Sequence, residues 1–253
     1  MFHGDKGKPT KYSTSRLNFD IIIDNESLTL QKLSRSLGFY TIQFAGKISE
    51  VETVYDTDKK LMTGAGLILR KKQTPARAYF SLVRVSSMKN VKQREKKSFL
   101  GECDHGDQPS DFPVQIAEEI NKIFNNLFTI NLVEIVSHCT PYVRTEISGN
   151  RYKILSGTGY EAEISFEDLR VRDMRTGRKG RKRICSLKME LDPNYERERQ
   201  QILDSIERHC KELVEIDRNH FEISEVLIRP PVIKETPVDK KAEKNKKKKG
   251  DKK

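Results

Sequence analysis

Two basic side chains two positions apart, Arg70 and Lys72, fall in the run Leu67-Ile68-Leu69-Arg70-Lys71-Lys72, which reads as a short β-strand. Side chains alternate along a strand, so 70 and 72 share one face. A polar loop follows, and then a second strand reading ends in Arg84. Basic groups projecting from neighbouring strands onto one sheet face form an anion-binding surface. Arginine suits this because its planar fork meets two phosphate or carboxylate oxygens at once. The block 53–84 opens on a Tyr55-Asp56-Thr57 turn and passes Gly64 and Gly66 before the two strands. The bland reading of the same residues is a sheet face whose Lys and Arg are simply solvated.

The surrounding chain supplies many strands to carry such a face. A short apolar run at 19–23 reads as a first strand, and a helix begins at Asn25 with Leu30, Leu33 and Leu37 on one side and Gly38 as its stop. Strands are expected at 42–45, 48–55, 67–72, 78–85 and 91–97. Asp111 and Pro113 then mark a helix start. Further strands are expected at 132–137, 142–147, 151–155, 160–167 and 184–191. A long helix should run from 192 to about 216, with a last short strand at 221–228. In 160–167, Ala162, Ile164 and Phe166 take one side and Glu161, Glu163, Ser165 and Glu167 the other. Alternating strands with charge on one face and helices available for the apolar face predict an α+β fold built on an antiparallel barrel or sandwich. If the helices cover the outside, the charges line an interior; if not, they face solvent.

The 253 residues carry a net charge of +11, with 34% charged and 35% hydrophobic residues. Ten of the lysines fall in 232–253 beside four acids, so much of the basic excess belongs to that segment. We expect a flexible leader at 1–16, one domain at 17–228 and a disordered Lys-rich tail at 229–253. Four cysteines without a C-x-x-C pair fit a reducing compartment, and no run is apolar enough to span a bilayer; a cytoplasmic protein without membrane contact is expected. The Cys–His neighbours lack zinc-site spacing. The basic loop 170–183 and the tail are candidate contacts for RNA or another polyanion.

The block 53–84 and the order of elements resemble the CYTH branch of the triphosphate tunnel enzymes. The resemblance rests on Tyr55-Asp56-Thr57, Gly64/Gly66, Arg70-x-Lys72 and Arg84, and covers roughly 17–228. It implies an eight-stranded antiparallel barrel, a triphosphate tunnel, with helices packed outside. Carried over residue by residue, it implies a phosphate grip of Arg70, Lys72, Arg84, Arg94, Arg144, Arg151 and Lys188. It also implies Mg²⁺ or Mn²⁺ held by Glu163, Glu167, Glu190 and Asp20. The grip is well populated and the acidic half is thin: Asp20 and Asp24 stand where the family shows Glu-x-Glu, Lys96 follows Arg94 where an acid is usual, and Lys188-x-Glu190 replaces another Glu-x-Glu. The implied activity is metal-dependent hydrolysis of a triphosphate or polyphosphate. The alternative is a tunnel short of metal ligands that binds polyphosphate or RNA as an adaptor. A third reading leaves the barrel as scaffold, with the basic segments binding nucleic acid.

Overall fold

A computed structural model describes residues 14–84, 96–124 and 131–229. Nine strands form one antiparallel sheet: β1 (Thr14–Ile21), β2 (Thr41–Asp56), β3 (Leu67–Gln73), β4 (Ala78–Arg84), β5 (Lys96–Cys103), β6 (Thr140–Leu155), β7 (Glu161–Asp173), β8 (Lys179–Glu190) and β9 (Leu213–Ile216). The spatial order is β5-β4-β3-β2-β6-β7-β8-β1-β9. The helices are α1 (Glu26–Leu37), α2 (Leu61–Gly64), α3 (Pro113–Phe124), α4 (Leu132–Ser137), α5 (Glu196–His209) and α6 (His220–Ile228).

The sheet curls strongly. Side chains of β1 and β8 line the same pocket as side chains of β3 and β4. Strands β4 and β1 stand six places apart in the sheet, which at about 4.8 Å per strand would separate them by nearly 30 Å if it were flat. The expected α+β tunnel architecture is therefore present, with nine strands among the described residues. Among the described residues the edge strands β5 and β9 do not pair with each other.

Two apolar clusters cover the outer face. Phe19, Ile164, Phe166, Cys185 and Leu187 pack under Leu33 and Leu37 of α1 and Ile202 and Ile206 of α5. Leu67, Leu69, Phe80 and Leu82 pack under Ile116 and Ile120 of α3 and Val136 of α4. The inner face holds the opposite parity: Ile68, Val83, Leu169 and Ile184 meet Ile223 and Ile228 of α6.

Several elements differ from the sequence expectation. Segments 42–45 and 48–55 are one strand, because a bulge between Phe44 and Gly46 absorbs the apparent break and Gly46 takes φ +129° there. Segments 142–147 and 151–155 likewise merge into β6. Residues 132–137 and 221–228 are helices rather than strands. Short apolar runs do not distinguish the two by periodicity. Each of these helices has an asparagine cap, Asn131 accepting from the Glu134 amide and Asn219 forming a capping box with Glu222. The helix expected across 192–216 ends at His209, and β9 follows. The loop expected at 170–183 is a hairpin whose strands reach Asp173 and restart at Lys179. The leader and the Lys-rich tail lie outside the described residues, except that Thr14–Arg16 open β1 and Arg229 follows α6.

Candidate functional site: a charged pocket on the inner face

Strand alternation assigns the inner face residue by residue. Arg70 and Lys72 of β3 both lie on it, as their spacing predicts. Arg70 is buried, donating to Ser81 Oγ at 3.0 Å and to Glu52 Oε2 at 3.2 Å. Lys72 forms an ion pair with Glu50, which also meets Arg151 at 3.4 Å. Arg151 in turn contacts Glu163 at 3.3 Å. Glu167 accepts from Arg16 at 2.6 Å and from Ser165 at 2.5 Å, and its second oxygen is 3.2 Å from His220 Nε2.

Arg16, Lys72, Arg77, Arg151 and Lys188 line a pocket of about 260 Å³ together with Glu50, Glu163 and Glu167, whereas Arg70, Glu52 and His220 lie outside its lining. Five cations thus face three carboxylates, and all three carboxylates are ion-paired. Lys188 and Arg77 have no acidic partner among the described residues; Arg77 lies 6.0 Å from the centre of the Tyr79 ring. The volume sits near the lower end of the range for ligand pockets, about 300–1,000 Å³. It is sized for a short, highly charged group.

Burial pushes the Glu167 carboxyl up, but Arg16, His220 and Ser165 outweigh it, and its pKa ends below the usual value. Burial drives His220 down to about 4, aided by Arg16 and opposed by Glu167, so its imidazole is neutral near pH 7. Buried charges survive in this lining because each is paired.

The remaining expected site residues fall elsewhere. Arg144 lies on the outer face, opposite Thr53 and Arg172, with Glu146 at 3.7 Å; a one-residue step in register moves a side chain across the sheet. Arg84 ends β4 opposite Leu67; its side chain, like all of Arg94, is outside the described residues. Asp20 pairs with Lys182. Glu190 stands opposite Thr14 near the strand end and does not line the pocket. The four acids expected to hold Mg²⁺ or Mn²⁺ therefore do not converge. Among the described residues no three His, Cys, Asp or Glu side chains form a group able to hold an ion. Oxygen-rich coordination needs several such donors; the three carboxylates that line this pocket are each paired with a cation.

Arg16, Arg77, Glu50 and Glu52 were missed by the sequence reading. Glu50-x-Glu52 carries a legible signal, two acids at period two in a strand. Arg16 does not, because it falls in a segment without strand patterning. The Tyr55-Asp56-Thr57 turn has a structural role: buried Asp56 accepts from the amides of Thr57, Met62 and Thr63 and from the Thr63 hydroxyl, capping α2.

No family model and no curated protein matches the chain. Solved structures do match. The Hippeastrum protein HpAC1, described as having a dominant triphosphatase activity, aligns at TM-score 0.54 and 12% identity over 86% of this chain and 97% of its own. PH1819 from Pyrococcus horikoshii aligns at TM-score 0.44 and 11% identity over 83% and 97%. A Vibrio parahaemolyticus protein provisionally assigned as an adenylate cyclase aligns at 0.40 and 12% over 84% and 97%. The chain has the CYTH-type triphosphate-tunnel fold. Among the described residues no helix is long and apolar enough to cross a membrane.

Proposed function

We propose that the inner-face pocket binds the phosphate chain of a triphosphate or polyphosphate compound. The observation that carries this is the convergence of Arg16, Lys72, Arg77, Arg151 and Lys188 on one small pocket. Lys188 and Arg77 meet the incoming anion first, since neither has to release an acid. Lys72, Arg151 and Arg16 then exchange carboxylate partners for phosphate oxygens. Charge-assisted contacts of this kind contribute about 1.5–3 kcal/mol each. Titration calorimetry with tripolyphosphate tests the reading. Wild type should bind, and Lys72→Ala with Arg151→Ala should abolish binding; equal affinity in the two proteins would refute it.

Hydrolysis of the bound phosphoanhydride is a second reading, favoured by the fold shared with a protein described as a triphosphatase. Its test is phosphate release from tripolyphosphate, ATP and RNA 5′-triphosphate with and without Mn²⁺. Absence of release alongside intact binding leaves a binding protein.

A polyanion contact outside the pocket is supported by a cross-strand row on the outer face: Arg144 opposite Arg172, and Arg172 opposite Lys179. Like charges directly opposite one another destabilise a sheet, so such a row suits an RNA backbone or similar partner. The Lys-rich segment 232–253 would add to it; that segment lies outside the described residues. Loss of salt-dependent RNA binding in Arg172→Ala/Lys179→Ala would support the contact, and unchanged binding would remove it.

A further inference from the structure

Between the inward-facing Arg70 and Lys72 of β3 stands a third cation that points the other way. Lys71 shares the outer parity of Leu67 and Leu69, sits opposite Phe80 and is only 1% exposed. Lysine is almost never buried so fully without partners. Here its ammonium donates to three backbone carbonyls of the loop between β5 and α3: Asp104 at 2.8 Å, His105 at 2.9 Å and Asp107 at 2.6 Å. That uses its full complement of donors. Burial lowers the Lys71 pKa, while Cys103, Asp107, Asp104 and Asp111 oppose the fall. The loop also closes on itself, since the Asp104 amide donates to Asp107 Oδ2 at 2.8 Å.

The same loop grips the turn between β3 and β4. The Gln73 side-chain amide donates to the His105 carbonyl at 2.8 Å. His105 Nε2 lies 2.9 Å from the Thr74 carbonyl oxygen, so that nitrogen carries the hydrogen. Thr74 and Arg77 bracket Pro75 and Ala76. The Thr74 amide donates to the Arg77 carbonyl at 2.8 Å, and the Arg77 amide donates to Thr74 Oγ1 at 3.1 Å. These bonds fix the turn internally but not its attitude to the sheet, because the strand pairing ends at Gln73 and Ala78. The contacts from the loop supply that. Thr74 and Arg77 in turn line the charged pocket. Arg77 is exposed and has no acidic partner among the described residues, so its place depends on the turn that carries it.

From this we infer that Lys71 and His105 are positioning residues for the pocket. Lys71 pins the 104–107 loop to the outer side of β3, and His105 passes that anchorage to the 74–77 turn, which holds Arg77 at the pocket rim. Neither residue lines the pocket. The inference rests on the phosphate-binding reading above and adds residues that act on it from the opposite face of the sheet.

The test is a double-mutant cycle on the whole protein, with tripolyphosphate affinity read by calorimetry. Arg77→Ala should weaken binding at least about tenfold, the loss of one charge-assisted contact. His105→Ala, at an exposed site, should weaken it about threefold with little change in urea unfolding, and should cost nothing further once Arg77 is Ala. His105→Gln, which can place an amide nitrogen where Nε2 stood, should restore the affinity. Lys71→Met frees the whole loop and should lose at least as much as His105→Ala, again only while Arg77 is present. If that variant does not fold, the His105 arm decides alone. Amide exchange at Arg77 reads the tether without ligand and should quicken in His105→Ala.

Unchanged affinity in His105→Ala, or the same fold-loss with and without Arg77, would overturn the inference and leave phosphate binding standing. A loss of stability in Lys71→Met with affinity retained would make the loop a structural brace only. Failure of tripolyphosphate to bind the wild type would remove the phosphate-binding reading, and the positioning role with it.

Discussion

The two halves of the inner face are made of the same strands with the same side-chain parity, yet they differ in chemistry. Toward the open end β2, β3, β6, β7 and β8 present Glu50, Lys72, Arg151, Glu163 and Lys188. Toward the other end the same strands present Val54, Ile68, Val143, Leu169 and Ile184, and α6 covers them. Buried Arg70–Glu52 and Glu167–His220 contacts lie between the two halves. An interior lined by charge needs an anion or water to complement it; an apolar lining needs protein. This chain provides the second from its own α6 and leaves the first as an open charged pocket. Polarity along the inner face therefore separates an open charged pocket from a protein-filled apolar half.

The largest effect should come from the open half. Removing Lys72 and Arg151 together deletes two charge-assisted contacts, each worth about 1.5–3 kcal/mol. Their loss also leaves Glu50 without either cation that it touches. Tripolyphosphate affinity should fall by at least about a hundredfold, and urea unfolding should show a loss of stability as well, since Glu50 is nearly as buried as Glu52. A large loss of stability with retained affinity would mean that the open half is structural after all.

At the boundary the order should invert, with stability responding before binding. Arg70→Ala removes a charged partner of buried Glu52, and breaking a buried pair on one side costs up to about 3–5 kcal/mol. Arg70→Ala/Glu52→Ala should recover part of that loss, because no uncompensated charge remains. Equal destabilisation in the single and double variants would show that the pair contributes only packing.

His220 gives a pH test of the same boundary. Its folded pKa of about 4 is depressed from 6.5, so the unfolded chain takes up a proton near pH 6.5 while the folded chain resists until about pH 4. The stabilisation from the neutral buried imidazole is complete above pH 6.5 and is lost as pH falls toward 4. At about 1.4 kcal/mol per pKa unit the loss is roughly 3 kcal/mol. His220→Asn should flatten the stability profile between pH 6.5 and 4, measured by urea unfolding. Glu167, with its lowered pKa, begins to lose its own contribution only as pH falls through the usual carboxylate value, so the interval from about pH 6.5 to 5 isolates His220. An unchanged slope in the variant would place the titration elsewhere.

What could be read from the sequence follows the same division. Arg70 and Lys72 were legible because period two fixes their face whatever lies around them. The charged face of 160–167 was legible for the same reason, and Glu163 and Glu167 do point inward. Arg144 was not, because two expected strands merged into β6 and the face depends on register through its whole length. The filled half was hidden altogether. Residues 221–228 alternate well enough to pass as a strand, and only the Asn219–Glu222 capping box marks them as a helix. Which acids stand beside which cations is a property of strand order, since Arg16 and Glu167 are 151 positions apart. Of the expected metal ligands, Glu163 and Glu167 share the pocket while Asp20 and Glu190 do not line it. Glu163, Glu167 and Asp20 each take a cation from a different strand, Arg151, Arg16 and Lys182, which spacing along the chain cannot reveal.

The smallest expected effect lies outside the tunnel, in the outer-face row Arg144, Arg172 and Lys179. Arg172 and Lys179 are exposed and have no acidic partner among the described residues. Replacing either with Ala should shift folding stability by no more than about 0.5 kcal/mol, the usual range for surface sites. Because the row places like charges opposite one another, the shift should be toward greater stability. If RNA lies along this face, each replacement should reduce the slope of log affinity against log salt by about one, without altering sequence preference. Tripolyphosphate binding in the pocket should not change. A variant that weakened both ligands equally would join the outer row to the pocket as one continuous surface, and the separation between the inner and outer faces would then fail.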